Sequence, residues 1–367
     1  MLIHGDGFAL YGTGSASRTN MTQGAWAQVD APIEVSTSNP RGHGTHHLRF
    51  AGVQGDIVRR VLGADYGDGL GFGAAYYFTA LPTDNASHLL FQARDGANAA
   101  QFSVTLSTTG VIQVRRGGQS AAVIAATTSP VMVAGAYQHM ELFAVCGNAG
   151  GSPGGGSIEI RVNGQTVLNE SDIDLQNNAT NSVEQYAIGE STGSPIFTGT
   201  MDVADIQLWD TTGSVNNDFL GDVQWLAIYP IADRAAQEWT PLVTGNGYEM
   251  VDDSTGPDGE SSYIEAPFGS PGAISEFDMT DAPALTSDIV GVVLQPMLRK
   301  TDAGDGSAQM SVISSEGSPE TVDAGADKPL TQVYTYYPEV FETDPATGVR
   351  WTIAGFNAMA IRLQRTA

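Results

Sequence analysis

The sequence predicts an all-β protein built from antiparallel sheets. Apolar side chains recur at every second position in many short runs, as in Ser157–Val162, where Ile158 and Ile160 share one face. Asn163-Gly164 follows that run at once, and this dipeptide is a strong hairpin signal because both residues tolerate positive φ. Helical periodicity is scarce, and its best candidate, Val349–Ala360, is interrupted by a glycine. Short strands with few helices favour an antiparallel sandwich or barrel over βαβ units.

The same alternation or β-rich composition predicts further strands along the first two thirds of the chain. In order, we expect strands at 71–79, 88–92, 101–106, 111–115, 137–145, 166–168, 186–189, 200–209 and 223–229. The glycine-rich segment Asn148–Gly156 lies between two of these strands and is interpreted as a hairpin loop.

Composition excludes several classes of function. The 367 residues include 41 acidic and 16 basic side chains, for a net charge of -25. This charge repels phosphate backbones and anionic lipids, so we expect no nucleic-acid partner and no membrane insertion. No run approaches 18 apolar residues, and Met1–Phe8 carries no basic region of the kind that precedes a signal sequence. Cys146 is the single cysteine, which excludes an internal disulfide and a cysteine-based zinc site.

Length and charge distribution predict two domains. Pro230 stops the predicted strand 223–229, and a polar segment follows. Residues 1–245 hold 22 acidic and 10 basic side chains, whereas 246–367 hold 19 and 6, so the net negative charge per residue is about twice as high in the second part. We therefore predict one domain over 1–235, a linker over 236–245 and a smaller β domain over 246–367.

Paired carboxylates are the first catalytic pattern to consider, since a large β-sandwich could be a glycosidase. Glu170, Asp172 and Asp174 share one face of a strand, but Leu175 stands where jelly-roll glucanases carry another acid. Asp202 and Asp205 are three residues apart, which in a regular strand places them on opposite faces. The acids are thus interpreted as solvated side chains, and we predict no catalytic residues and no enzymatic activity.

Metal sites have little support in the sequence. His43, His46 and His47 are close together, but His46 and His47 point to opposite faces of a strand, which favours a polar strand entry over a metal site. Two acidic loops could bind calcium through carboxylate oxygens, although neither follows the Asp-x-Asp-x-Asp-Gly pattern. They contain Asp252, Asp253, Asp258 and Glu260 in one case, and Asp302 and Asp305 in the other. Metal ligands are therefore left unassigned, and no cofactor is expected apart from calcium as an open alternative.

Aromatic side chains could bind sugars by stacking. Trp209 and Trp225 lie in alternating apolar strands and are predicted to belong to the core. Tyr334 and Tyr336 share one face of a predicted strand and Tyr337 the other, which fits either a sheet or a surface between subunits. The remaining candidates are Trp26, Trp239 and Trp351.

Several motifs together resemble a family of bacteriophage and prophage virion structural proteins, often of the tail or fibre type. The opening Ile3–Phe8 (IHGDGF), the hairpin around Gly155–Gly164 (GGSIEIRVNG) and Gln237–Pro241 (QEWTP) are similar to segments of that family. The most specific stretches are Asp205–Val223 (DIQLWDTTGSVNNDFLGDV) and Glu342–Gly348 (ETDPATG) with Trp351-Thr352. The resemblance covers nearly the whole chain in order. Ala204 departs from it, standing where an acid is common.

The resemblance implies a concanavalin A-like, laminin-G-like jelly roll at the N-terminus and a structural role in the virion. It carries over no catalytic residues. We expect a fibre, spike or decoration component on head or tail, assembled in the host cytoplasm and localised to the virion. Its partners would be other virion proteins and copies of itself, with a homotrimer favoured, and host surface polysaccharide is a candidate ligand. Two alternatives stay open: a virion-associated polysaccharide depolymerase, and a scaffold or adaptor without ligand.

Overall fold

The computed structural model covers the chain in two compact units. It describes all residues except 25, 38–40, 42–45, 52–54, 84–87, 148–154, 190–198, 284–287 and 316–319. The first unit comprises essentially Ile3–Trp225 and the second Leu226–Ala367. Strands dominate both, so the predicted all-β class is confirmed. Among the described residues, no helix has the length and hydrophobicity needed to span a membrane.

The first unit contains fifteen strands and two short helices. A 3-10 turn at Ala9–Tyr11 and helix α1 (Ser15–Thr22) follow the first strand. The strands are β1 Leu2–Asp6, β2 Trp26–Val29, β3 Glu34–Ser36, β4 His47–Phe50, β5 Ile57–Val61, β6 Leu70–Phe78, β7 His88–Arg94, β8 Ala100–Leu106, β9 Ile112–Arg116, β10 Val123–Ala126, β11 Tyr137–Val145, β12 Gly156–Val162, β13 Gln165–Ile173, β14 Gln185–Gly189 and β15 Met201–Trp209.

These strands form two antiparallel sheets. The eight-stranded sheet has the order β13-β12-β11-β6-β15-β4-β3, with β1 also paired to β15. The seven-stranded sheet has the order β10-β9-β8-β7-β14-β5-β2. Neighbours such as β6 and β15 are far apart in sequence, so connections between the two sheets set the topology, as in a jelly roll.

The core lies between these two sheets and is rich in aromatic rings. Phe72 of the eight-stranded sheet packs on Phe91 of the seven-stranded sheet, with ring centroids 4.7 Å apart. The hydroxyl of Tyr76 donates a hydrogen bond of 2.7 Å to the carbonyl of Leu90, which satisfies a buried polar group. Burial of such large side chains on alternate positions explains why the period-2 pattern predicted the strands.

The predicted Asn-Gly hairpin joins β12 to β13. Asn163 and Gly164 have φ values of 51° and 76°, as a type I′ turn requires. Ile158, Ile160 and Val162 are all buried on one face of β12, as their alternation predicts. Most of the loop before β12 lies outside the described residues.

The second unit has its own sheet and its own core. Five strands follow the order β16-β19-β27-β22-β23, with β24 paired to β22, and three further strand pairs are β17-β18, β20-β26 and β21-β25. Phe277, Met310, Val312 and Trp351 are among the buried residues of its core. Its elements are β16 Pro230–Gln237, β17 Thr240–Pro241, a 3-10 turn Tyr248–Met250, β18 Ile264–Glu265, β19 Ile274–Met279, β20 Val292–Leu294, β21 Met297–Leu298, β22 Ser307–Ser314, β23 Thr321–Ala324, β24 Lys328–Pro329, β25 Thr335–Tyr336, β26 Glu339–Phe341, α2 Ile353–Asn357 and β27 Met359–Arg365.

The expected boundary between the two parts differs from the observed one. Strand β16, which the sequence analysis placed at the end of the first domain and in the linker, pairs with β19 of the second unit. The expected linker also contains β17, which pairs with β18. The division falls instead at Trp225, because residues 223–229 cross between units without forming the predicted strand. Apolar residues in that segment reflect local packing rather than a sheet.

Candidate functional site

A row of polar and aromatic residues crosses five strands of the eight-stranded sheet. In register, Glu34 pairs with Arg49, Arg49 with Asp202, Asp202 with Tyr77, and Tyr77 with Tyr137. Residues that are directly opposite each other in antiparallel strands share a face. This face, opposite the core, is called the polar face below. Asp202 is buried, whereas the other four residues of the row are half-buried.

Asp202 is the most connected residue of the row. Its carboxylate accepts hydrogen bonds from Nε and Nη2 of Arg49 at 2.9 and 3.0 Å. Nε2 of His47 lies 3.5 Å from its Oδ1. Burial acts to raise the pKa of Asp202, but the contacts with His47 and Arg49 outweigh burial and hold the pKa below its ordinary value. Asp202 is therefore ionised over the physiological range.

A β-bulge brings Asp205 to the same face as Asp202, contrary to our expectation from spacing. Ala204 pairs with Ala75 and Gln207 with Gly73, so two residues of β15 stand opposite the single residue between Gly73 and Ala75. Asp205 occupies the bulge with a φ of 53°. Both carboxylates lie near enough to Tyr137, a residue of the polar face, to raise its pKa. The prediction that the two acids lie on opposite faces is wrong, because it assumed a regular strand.

Arg41 ties the bulge to the chain that follows β15. Its guanidinium forms ion pairs with Asp205 and with Asp222, and its side chain is only 7% exposed. The backbone N–H of Trp225 donates to Asp205 at 2.8 Å. Burial raises the pKa of Asp205 to about 6 despite these favourable contacts. The two acids of the bulge region thus have pKa values displaced in opposite directions, a pattern typical of acid–base sites.

Tyr137 and His139 place two proton-transfer groups on the same face as these acids. They alternate on β11 and so share the polar face. The Tyr137 hydroxyl and His139 Nε2 are buried and have no hydrogen-bond partner within the described part of the chain. Burial, with the charges of Asp202 and Asp205, raises the pKa of Tyr137. Burial lowers the pKa of His139 to about 4, so its imidazole is neutral near pH 7.

The segment Phe219–Trp225, called the strap below, covers the part of the polar face that contains Glu141 and Gln207. Oε1 of Glu141 accepts the backbone N–H groups of Leu220 and Gly221, both at 2.9 Å. Gln207 Nε2 donates to the Gly221 carbonyl at 3.0 Å. Glu141 and Gln207 therefore anchor the strap, and we assign them no proton transfer.

Aromatic packing completes the anchor of the strap. The Trp209 and Phe219 rings meet edge to face with centroids 5.9 Å apart. The guanidinium of Arg161 lies 3.6 Å from the Phe219 ring centroid. Gly71 makes room for Trp209, since a Cβ on this glycine would lie 2.1 Å from the indole ring. Apart from the buried Asp202, the row from Glu34 to Tyr137 stays half-exposed.

The other acids singled out from sequence do not join this site. Glu170, Asp172 and Asp174 lie on or just after the edge strand β13. Asp174 forms an ion pair with Arg116. The structure assembles no group of three or more metal-binding side chains among the described residues. The acidic loops with Asp253 and Asp302 instead bond within themselves, to Ser262 and Gly304 respectively.

The histidines and aromatic candidates have mixed outcomes. His47 joins the site, His46 is half-buried beside it in sequence, and His43 lies outside the described residues. Trp209 is buried as predicted, whereas Trp225 is half-buried and in no strand. Trp26, Trp239 and Trp351 are buried, as is Tyr336, while Tyr334 and Tyr337 are half-buried.

Sequence reasoning missed Tyr137, His139, Glu141 and Gln207. A signal was present in β11, where Tyr137, His139 and Glu141 alternate with buried residues. Strands with both faces buried are unusual at the outer side of a sandwich. Polar residues on the outer face of such a strand indicate a site that is covered by other residues. To infer this from the sequence, one must know that the strand is central in its sheet.

Comparison with known proteins finds only distant likenesses. No family model matches the chain, and no curated protein matches it. Among solved structures, an alginate lyase bound to an alginate tetrasaccharide is 16% identical with a TM-score of 0.39, covering 56% of this chain and 95% of that one. A Trypanosoma rangeli sialidase with bound 2,3-difluorosialic acid is 16% identical with a TM-score of 0.33, covering 48% of this chain and 27% of that one. At this identity, the likeness concerns the β-sandwich fold alone.

These comparisons correct one prediction. The structural neighbours are carbohydrate-active enzymes, which contradicts the prediction of a protein without enzymatic activity. That prediction depended on the absence of a carboxylate pair, and the bulge at Asp205 removes its premise. We therefore withdraw it. The virion setting is not addressed by the comparisons and stays a prediction.

Proposed function

We propose that the first unit binds an extended polysaccharide on the polar face and cleaves it by acid–base chemistry. One observation carries the proposal: Tyr137, which lies near Asp202 and Asp205, and His139, which lies near Asp222, present buried polar atoms without partners among the described residues. Buried polar groups without partners are rare in folded proteins, and they are accounted for when a ligand supplies the missing partner. These side chains are also those most used for proton transfer in enzymes.

The half-exposed row provides the binding surface. Its five strands span four strand spacings, or about 19 Å, which suits an extended chain of sugars. The Tyr77 and Tyr137 rings lie with centroids 5.6 Å apart and offer an aromatic surface at one end. Glu34 and Arg49 offer hydrogen-bonding groups at the other end. A few fixed polar groups on an aromatic surface are typical of a ligand site.

The protonation states fit the chemistry of glycosidic bond cleavage. His139 is neutral near pH 7, so Nε2 can accept a proton from a nucleophile or from carbon. Tyr137 keeps its proton because its pKa is raised, and it can donate to the leaving oxygen. Asp205, with a pKa of about 6, is mostly ionised near pH 7 and pairs with Arg41 close to this site. Asp202 stays ionised and orients His47.

Two measurements test this function: the activity of the wild-type protein on host capsular polysaccharide, and the activity of a variant that lacks the Tyr137 hydroxyl. Reducing ends and absorbance at 235 nm are measured, since the second detects the unsaturated product of an elimination. We expect Tyr137→Phe to lower the rate of product formation at least about 100-fold. Tyr66→Phe removes a hydroxyl from a loop elsewhere in the unit and serves as the control. An inactive wild-type protein, or a fully active Tyr137→Phe variant, would contradict the proposal.

The virion setting is part of the same proposal and is supported by the sequence motifs alone. In that setting the protein is a fibre, spike or decoration component that carries the polysaccharide-cleaving unit to the host surface. Other virion proteins and further copies of the chain, as a homotrimer, would be its partners. Antibody labelling of purified particles from an induced culture tests it. Absence of the chain from particles would remove the phage part of the proposal and leave the cleavage part standing.

A further inference from the structure

We infer that the polysaccharide bound on the polar face is uncharged and that its cleavage is a hydrolysis. This inference rests on the proposed function and names the substrate class of that site. It follows from how the arginines of the polar face are paired, and from the balance of charge around them.

Each arginine of the polar face already has a carboxylate partner. Arg49 binds Asp202 through two nitrogens. Arg41 binds Asp205 and Asp222. Arg161 donates to Glu159 at 2.8 Å on the same strand. A sugar carboxylate would compete for these arginine charges with the protein carboxylates, two of which are buried.

The charge of the face also opposes an anionic polymer. Among the described residues, six carboxylates and three guanidinium groups lie on it or on the strap, so acids outnumber bases by two to one. The chain contains no lysine before Lys300, so no lysine of this unit offsets the difference. A polymer with a carboxylate on every sugar would meet this excess at each step along the row. The six acids are Glu34, Glu141, Glu159, Asp202, Asp205 and Asp222.

An uncharged substrate fixes the reaction type. Elimination needs a proton made acidic by a carboxylate on the neighbouring carbon, and a neutral sugar has none. Cleavage of the glycosidic bond then consumes one water: the water oxygen bonds to the anomeric carbon, the bond from that carbon to the bridging oxygen breaks, and the bridging oxygen takes up a proton. Each event creates one reducing end and no carbon–carbon double bond. Tyr137 donates a proton to the bridging oxygen, and His139 Nε2 accepts the proton that the water loses.

Two panels of soluble polysaccharides test the inference at low salt. Laminarin, galactomannan, xyloglucan and dextran are neutral, whereas alginate, polygalacturonate and hyaluronan are anionic. We expect reducing ends from a neutral polymer with no rise in absorbance at 235 nm. Cleavage confined to the anionic panel would overturn the inference and leave the proposed function intact. Failure to cleave either panel or host capsule would count against the proposed function itself.

A charge variant tests the pairing argument without relying on turnover. Asp222→Asn removes one of the two partners of Arg41, and we expect it to strengthen alginate binding about threefold in affinity electrophoresis. Asp218→Asn makes the same change of charge at an exposed aspartate just before the strap, whose carboxylate bonds the Phe219 N–H. We expect this control to bind alginate as weakly as the wild type. Tight alginate binding by the wild type, or equal gains in both variants, would overturn the inference.

Discussion

The imidazole Nε2 of His47 lies 3.5 Å from Oδ1 of Asp202, and both side chains are buried. His47 and Arg49 come from β4, and Asp202 comes from the neighbouring strand β15. Side-chain contacts therefore join these strands in addition to their backbone ladder. The same carboxylate lies in the row that we propose as a binding surface, so it connects the stability of the sheet to the chemistry of its polar face.

Replacing Asp202 by asparagine is expected to lower the free energy of unfolding by about 2 kcal/mol. Breaking a buried ion pair costs more than this, but Arg49 is 30% exposed and water compensates part of the loss. Urea denaturation measures the effect, with Asp218→Asn as an exposed control expected within about 0.5 kcal/mol of the wild type. Equal midpoints for the wild type and Asp202→Asn would show that the contact does not stabilise the sheet.

Buried histidines are expected to make the first unit sensitive to acid. Burial lowers the pKa of His88 to about 3, so the folded protein binds this proton less readily than the unfolded chain does. Stability is then complete above the ordinary pKa of about 6.5 and falls as the pH drops towards 3. Between pH 7.5 and 5 the loss is about 2 kcal/mol for one such group.

The variant His88→Phe isolates this contribution. His88 stacks on Phe78, with ring centroids 5.9 Å apart and planes inclined by 8°, so an aromatic replacement keeps the shape of the contact. We expect its urea midpoint to decline less between pH 7.5 and 5 than that of the wild type. A wild-type slope in the variant would mean that His88 does not contribute to acid sensitivity.

Gly5 is expected to tolerate no side chain. A Cβ at this position would lie 1.9 Å from a ring carbon of Trp225, which packs over β1. Gly5→Ala should destabilise the protein by about 1–3 kcal/mol, the usual cost of overpacking. Gly118 has open space around it, so Gly118→Ala is the matched control and should change stability little. Thermal unfolding monitored by tryptophan fluorescence compares the two, and equal transition temperatures would disprove the contact.

Cys146 is expected to be inert towards thiol reagents in the folded protein. Its side chain is buried, and burial with the nearby charges of Asp174 and Asp65 raises the pKa of the thiol to about 12. The thiolate, which is the reactive form, is therefore scarce at pH 8. A chromogenic disulfide reagent should label no cysteine before denaturation and one equivalent afterwards. Rapid labelling of the native protein would show that this region opens readily.

Glu141→Gln is expected to loosen the strap. The variant keeps the shape of the side chain but removes the charge that strengthens its hydrogen bonds to Leu220 and Gly221. Such bonds are worth about 1.5–3 kcal/mol each, so limited proteolysis within the strap should be at least about tenfold faster. Glu170→Gln, an exposed change on β13, is the control. Unchanged cleavage in Glu141→Gln would place the anchor elsewhere.

Local patterns predicted the strands because they depend on neighbouring residues. The β12–β13 hairpin follows from alternation in β12 and from the positive φ that Asn163 and Gly164 accept. Residues 223–229 show the limit of the same reasoning, since their apolar side chains are partly buried without entering a sheet. The boundary at Trp225 depends on whether β16 pairs backwards or forwards along the chain, which its own sequence does not specify.

The candidate site was harder to predict because it depends on register. Asp202 and Asp205 share a face only through the bulge, and an aspartate at positive φ leaves no distinctive local pattern. Tyr137 and Tyr77 meet because β11 pairs with β6 across a long connection. Arg41 reaches Asp205 from 164 residues earlier in the chain. Such contacts are set by topology, which residue spacing within one segment does not encode.

The way Glu141 holds the strap has a consequence for how this surface can evolve. Within the strap the carboxylate bonds only the main-chain amides of Leu220 and Gly221, so it is indifferent to the side chain at Leu220. Gly221 alone is constrained at this anchor, because its φ of 79° suits a residue without Cβ. Mutations can therefore change the exposed side chains of the strap while its hydrogen bonds to Glu141 and the sheet beneath it are kept. With such an arrangement, the ligand preference of the proposed site can change during evolution while the fold stays the same.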